Sequence, residues 1–247
     1  MDEYKPEAYG ETWAEVYDEY YADSPGNAQV QPMVTTLTEL AHNGPALELG
    51  IGTGLVALPL VEAGVEVHGI EASPAMIAKI MDKKGAGAIS VTQGDFADVP
   101  VDGQYPLVFV VFNTFYCLLN QEDQVRCFRN VASRLTDGGV FVVSAFVPDM
   151  SKFNRGQSVE ARRVEEDQVT LEVNRHNSVT QLVSSQSMTI SNQGTKFLPV
   201  QIRYVWPSEL DLMAQLAGMH LRERWGDWEK APFTPQSWLH VSVYEMA

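Results

Sequence analysis

A chain of 247 residues, 45% of them hydrophobic, is long and apolar enough to bury a full core, and its length suits a single α/β domain. Its 17 basic residues stand against 32 acidic ones, a net charge of −15 that argues against a nucleic-acid partner, whose phosphates are met by Lys and Arg. No apolar run is long enough to span a bilayer, and the acidic start "MDEYKPEAYGETW" lacks the basic and apolar regions of a signal peptide, so a cytoplasmic protein without a membrane partner is expected.

The first element comes at residues 7–23, "EAYGETWAEVYDEYYAD", where Tyr9, Trp13, Val16, Tyr17 and Tyr20 fall at helical spacing and predict one aromatic-rich amphipathic helix. A second helix is read over 30–41. Together they form an N-terminal helical cap, 1–44, ahead of a core over 45–247. Strands and helices then alternate. "PALELG" reads as a strand, "GLVALPLVEAG" as a helix closed by Gly64, and "VEVHGIEA" as the second strand. Ser73 is placed to cap the next helix, with Pro74 at its first position, and that helix should stop at Gly85. "AISVTQGD" and "PLVFVVFN" are the third and fourth strands, the latter apolar enough to be central. Asn120, with Asp123 three residues on, opens a helix through Leu135, and "GGVFVVSAF" is the fifth strand. This alternation implies crossover units and a mostly parallel sheet with helices on both faces. The two cysteines, Cys117 and Cys127, read as reduced buried thiols, and no metal site is expected.

After Pro148 the pattern changes. Over about 160–205 there is no helical period; "QVTLEVNRHN", "TQLVSSQSMTIS" and "FLPVQIRYVW" alternate apolar and polar residues between turn segments. An antiparallel sheet is expected here, appended to or inserted in the core. One face of it must be covered, by the substrate mouth of the core or by a second copy in a homodimer. Helical spacing returns in "SELDLMAQLAG", expected to be capped by Ser208 and ended by Gly218, and "LRERWGDW" and "HVSVYEM" close the chain as strands.

The chemistry is concentrated at three successive strand ends. The first carries Glu48, Gly50, Gly52 and Gly54 as E-x-G-x-G-x-G. Glycines at a strand-to-helix turn let backbone approach a ligand closely. The third glycine comes one residue too early for the G-x-G-x-x-G of dinucleotide oxidoreductases, and no P-loop lysine follows. An acid opening the loop also suits a cationic ligand better than a pyrophosphate. At the end of the second strand stands Glu71, followed by Ala72; an acid there can accept both hydroxyls of a ribose. After the third strand comes Asp95, an acceptor for an exocyclic adenine amine, beside the flat wall of Phe96.

On these residues, 45–146 resembles the core of class I S-adenosylmethionine-dependent methyltransferases. The resemblance implies a doubly wound, mostly parallel Rossmann-like α/β sheet, here with the appended antiparallel β-sheet. It implies S-adenosyl-L-methionine as cofactor, its methionine part over the glycine loop, its ribose at Glu71 and its adenine at Asp95 and Phe96. Asn113, Thr114, Phe115 and Tyr116 should then face the methyl group. They lack the prolines of the Asn/Asp-Pro-Pro-Tyr/Phe motif found in adenine- and protein-type N-methyltransferases. The N-terminal tyrosines and the extra sheet look like those of glycine N-methyltransferase and of amino-sugar N,N-dimethyltransferases. That likeness extends the cofactor contacts to Tyr9, Trp13 and Tyr17, and makes a small molecule the acceptor, nitrogen ahead of oxygen or carbon. No strong catalytic motif is expected for a displacement at an already activated carbon; the candidates are Tyr116 and His176, the latter in the turn "NRHNS", while His240 reads as structural. A non-catalytic binding or scaffolding domain is the other class of reading. The insert is expected to serve acceptor binding or dimerisation and to leave cofactor affinity alone.

Overall fold

The computed structural model describes residues 7–22 and 28–247. Five strands form the parallel body: β1 (Ala46–Leu49), β2 (Val67–Glu71), β3 (Ile89–Gln93), β4 (Tyr105–Val110) and β5 (Leu135–Phe146). β10 (Met219–Trp225) and β11 (Leu239–Met246) join antiparallel, giving the order β10-β11-β5-β4-β1-β2-β3. The order reverses between β1 and β4. In an open parallel sheet that reversal leaves a crevice beyond the strands' carboxyl ends, where a ligand is held.

Alternation along the central strands supplies two cores. Leu107 and Phe109 of β4 face α3 (Val30–Ala41) and α4 (Ala57–Glu62), with Leu37 and Leu60 fully buried against them. Val108 and Val110 face the opposite layer, α6 (Gln121–Ala132) and α7 (Pro207–Leu216), through Phe128 and Leu210. α3 is thus a layer of the sandwich; the helices that cap the site are α1 (Ala8–Trp13) and α2 (Tyr17–Ala22). They replace the single helix read over 7–23, with a turn at 14–16 between them.

Local signals act where the residues allow. The Ser73 hydroxyl accepts from Met76 N–H at 3.2 Å and opens α5 (Pro74–Met81), an interaction worth about 1 kcal/mol. That helix ends at Met81, short of Gly85. Asn120 Oδ1 accepts from Asp123 N–H at 2.8 Å, while its amide donates to the Asp123 carboxylate at 2.6 Å. α7 begins two residues earlier than read, with Trp206 at the cap position and Pro207 first in the helix; Ser208 lies inside its first turn.

The segment after β5 forms a second sheet of four antiparallel strands in sequence order, β6 (Gln157–Val164), β7 (Gln168–Asn177), β8 (Leu182–Ser191) and β9 (Gly194–Arg203). β6, with its "EARRV" charge, was not legible as a strand. His176, expected in a turn, lies within β7, stacked on Phe153 at 4.7 Å. The sheet is fastened to the core by buried Arg203, which pairs with Glu209 of α7 at 2.8 Å and donates to Gln181 and Gln124. No helix among the described residues is long and apolar enough to cross a membrane.

Candidate active site

The loop after β1 turns through three glycines with positive φ, and they do different things. Gly50 and Gly52 line a cavity at the switch point. A Cβ at Gly52 would meet no atom within 4 Å, so it would project into open cavity space. Gly54 does not line the cavity; a Cβ there would lie 2.6 Å from Ile80 Cδ1, so this glycine serves helix packing.

Glu71 Oε2 accepts from Gly52 N–H and Oε1 from Ser73 N–H, both at 2.9 Å. The acid therefore shapes the loop as well as facing the cavity, which Ala72 also lines. Burial raises the Glu71 pKa, although backbone N–H groups of Ser73, Gly52 and Ala72 pull the other way. Glu48 sits at the end of β1, 3% exposed and behind the cavity wall. Its Oε2 has no hydrogen-bond partner among the described residues, and burial together with the Glu71 charge pushes its pKa well above the carboxylate range. Two confined acids close to the glycine loop make a setting that a cation stabilises.

Asp95 and Phe96 line the same cavity. Asp95 Oδ1 accepts from Ala97 N–H at 2.9 Å, and its Oδ2 lies 3.9 Å from Arg126; burial nonetheless raises its pKa. Asn113, with φ of 67°, spends its Oδ1 on Phe146 N–H at 2.8 Å while facing the cavity. Tyr9, Trp13 and Tyr17 roof it, with the Tyr9 and Trp13 rings stacked at 5.5 Å. Burial lifts the pKa of Tyr9 and of Tyr17 well above the phenol range, so both are neutral hydroxyls.

The roof is tied down at both ends. Asp18 of α2 accepts from the Thr53 hydroxyl at 2.5 Å and pairs with Lys83 at 2.6 Å, while Lys83 also donates to the Thr53 carbonyl at 2.8 Å. Glu11 of α1 accepts from Ser73 Oγ at 2.9 Å. Trp13 Nε1 donates to the Pro199 carbonyl of β9 at 3.1 Å, which makes the insert a support for the cap.

Neither proposed catalytic residue reaches the cavity. Tyr116 is fully buried, its hydroxyl held between the carbonyls of Phe146 (2.9 Å) and Val205 (3.1 Å), and burial drives its pKa far upward. It is a core residue joining β5 to the end of β9. His176 meets Tyr204 Oη at 3.1 Å behind the wall. His240 is buried against Ser242, as a structural residue should be. Sequence reading missed Tyr20, Tyr21 and Cys117 at the cofactor end, and Glu160, Arg162 and Glu172 on the insert, all of which line the cavity. The period-two pattern over β7 signalled the strand that carries Glu172, but not which face turned inward, and β6, with Glu160 and Arg162, gave no such signal.

The cavity measures about 1360 Å³. Its glycine loop, strand-end acids and position at the switch point define a Rossmann-like nucleotide-binding enzyme. Residues 46–139 match the family model described as "Methyltransferase domain". Over its whole length the chain is similar to the structure of the CcbJ methyltransferase from Streptomyces caelestis, at 36% identity and a TM-score of 0.91, covering 99% of this chain and 100% of that one. It is 28% identical to a cypemycin N-terminal methyltransferase from Streptomyces, over 97% of this chain and 98% of that protein. The sugar N-methyltransferase KedS8 from Streptoalloteichus shares the fold at a TM-score of 0.67 and 20% identity, covering 98% of each chain. The chain belongs to the class I S-adenosylmethionine-dependent methyltransferases.

Proposed function

We propose that this enzyme transfers the methyl group of S-adenosylmethionine to a nitrogen of a small-molecule acceptor. The observation that carries the reading is the single cavity, in which Gly52, Glu71 and Asp95 stand at one end and the antiparallel sheet lines the other. Glu71 would accept the ribose hydroxyls, Asp95 and Phe96 would meet the adenine, and Gly50, Gly52, Ala72 and Asn113 would lie along the methionine end, under Tyr9, Trp13 and Tyr17. The fit is supported by the open space at Gly52 and by the orphaned acid Glu48, which a cationic neighbour would favour in its ionised form. The bound cofactor supplies a methyl carbon activated by its sulfonium. The protein's task is to align the acceptor and exclude water. A neutral amine brings its own lone pair, whereas a hydroxyl needs a base in contact; no histidine lines the cavity among the described residues. Relatives named for N-terminal, sugar and glycopeptide N-methylation support nitrogen.

Titration calorimetry with S-adenosylmethionine and its demethylated product tests the cofactor. Turnover of labelled cofactor against a panel of amines, alcohols and carbon nucleophiles tests the acceptor atom. Transfer to alcohols alone would overturn the nitrogen reading. The enzyme is placed in the cytoplasm, consistent with its two free cysteines. We also propose a homodimer. The outer face of the insert presents Val159, Val173, Ile190 and Phe197, each more than a third exposed, and a second copy of the same face is the commonest cover for such a surface.

A further inference from the structure

The cavity exceeds the roughly 300–1,000 Å³ of an ordinary small-molecule site, leaving room beyond a nucleotide cofactor. That room is walled by the inner face of the antiparallel sheet. Over β6 and β7 that face is polar, while Val183 of β8 and Leu198, Val200 and Ile202 of β9 make the rest of it largely apolar; register sets Glu160 of β6 directly opposite Glu172 of β7, and Ser187 of β8 opposite Glu172 on its other side. Like charges directly opposed on neighbouring strands are unfavourable. A register shift between Ala161 and Arg163 brings Arg162 onto the same face, where Nε and Nη2 donate to Glu172 Oε2, both at 2.6 Å, and Nη1 lies 3.6 Å from Glu160. Asn174 Nδ2 donates to Glu172 Oε1 at 3.2 Å.

One cation thus serves two carboxylates. With Asp149 and Lys152 also lining this part of the cavity, three acids face two bases, and the excess is negative. Independently, Ser187 is 6% exposed, lines the cavity, and its Oγ has no hydrogen-bond partner among the described residues. A buried hydroxyl left unmatched beside a braced carboxylate is a site waiting for a partner with hydrogen-bonding groups. Phe153, Tyr204, Trp206 and Trp238 also line the cavity, aromatic faces that attract cations.

We propose that the inner face of the insert is the acceptor-recognition site, in which Glu172, fixed by Arg162 and Asn174, and Ser187 select an amine that is protonated in solution and carries neighbouring hydroxyl or amide donors, and reject anions; the bound ammonium gives its proton to solvent before the freed nitrogen lone pair takes the methyl group. A carboxylate offers about four lone-pair directions, and the three contacts above leave one for the ligand. This rests on the methyltransferase reading and names the charge class of its acceptor.

The test uses the full chain loaded with demethylated cofactor, so that binding is read without turnover. Three probes on one hexose frame are titrated: D-glucosamine (cationic), N-acetyl-D-glucosamine (neutral) and D-glucuronate (anionic). Glucosamine should bind about fivefold or more tighter than the other two, the size of one partly screened ion pair. Glu172→Gln should level the three while leaving S-adenosylmethionine affinity within about twofold, and Ser187→Ala should weaken glucosamine without changing melting. Glu160→Gln, at the sheet edge, is the second variant should Glu172→Gln fold poorly, and it should reduce the preference in the same direction. Preference for glucuronate, an unchanged order in both glutamine variants, or no saturation by glucosamine would each overturn the proposal. Loss of cofactor binding in the unaltered protein would instead overturn the methyltransferase reading on which it stands.

Discussion

Two glycines two residues apart, Gly52 and Gly54, separate binding from packing at the residue scale. Gly52→Val should abolish cofactor binding in a folded protein, since φ there is 56° and the new side chain projects into the cavity. Gly54→Val should act through stability, because Ile80 already occupies that space. Calorimetry with a melting curve on each variant distinguishes them; equal melting loss with retained affinity in both would make the loop purely structural. Glu71→Ala removes the acceptor of two N–H groups as well as the proposed ribose contact. Each orphaned donor costs about 1–3 kcal/mol, so melting should fall along with a roughly tenfold to hundredfold loss of affinity. His240 offers a pH test. Burial, aided by the Arg224 charge, lowers its pKa to about 3, so it stays neutral in the fold while the unfolded chain's histidine takes up a proton below about 6.5. Between those values the unfolded state binds more protons, and stability falls as pH falls, by about 1.4 kcal/mol per unit. Denaturant titrations at pH 6.5 and 5.5 should show that loss, and it should shrink in His240→Asn.

At the scale of elements, the cap and the insert behave as one roof. α1 leans on α5 through buried Gly10, where a Cβ would come within 2.3 Å of Ser73 Cβ, and on β9 through Trp13. Trp13→Ala should therefore weaken the cofactor and loosen the insert together, seen as faster hydrogen exchange in both 8–22 and 194–203. Exchange confined to the cap would separate the two elements. Arg203 is the insert's anchor. Arg203→Met leaves Glu209 and Gln124 facing a vacated, buried site, and breaking such a pair from one side costs about 3–5 kcal/mol. A melting temperature equal to that of the unaltered protein would show that the sheet is held by other means.

For the whole molecule, the insert has two faces with opposite assignments. The inner face lines the cavity with Glu160, Glu172 and Ser187 beside Leu198, Val200 and Ile202, and the outer face keeps Val159, Val173 and Phe197. A dimer formed through the outer face should dissociate in Phe197→Glu with cofactor affinity intact, measured by sedimentation. A monomeric unaltered protein at micromolar concentration would leave that surface without the proposed partner copy.

Much of this was written in local order. The strand–helix alternation, the glycine spacing, Ser73 before Pro74 and the acids at strand ends 71 and 95 depend on neighbours within a few residues, so the parallel core and the glycine-loop side of the cavity were legible from the sequence. What lay beyond it depended on which distant surfaces meet. Tyr116 sits three residues from Asn113, yet a single 3₁₀ turn after β4 swings its ring into the core while Asn113 stays at the cavity. His176 looked like a turn residue until β8 paired with it. The insert's alternation announced a covered face, but burial and polarity are coupled only when the cover is apolar. Here part of the cover is the cavity itself, which receives Glu160 and Glu172 of β6 and β7 beside Leu198, Val200 and Ile202 of β9, and so a mixed face turned inward; that choice belongs to the tertiary structure, which also brought Pro199 to Trp13 across 186 residues.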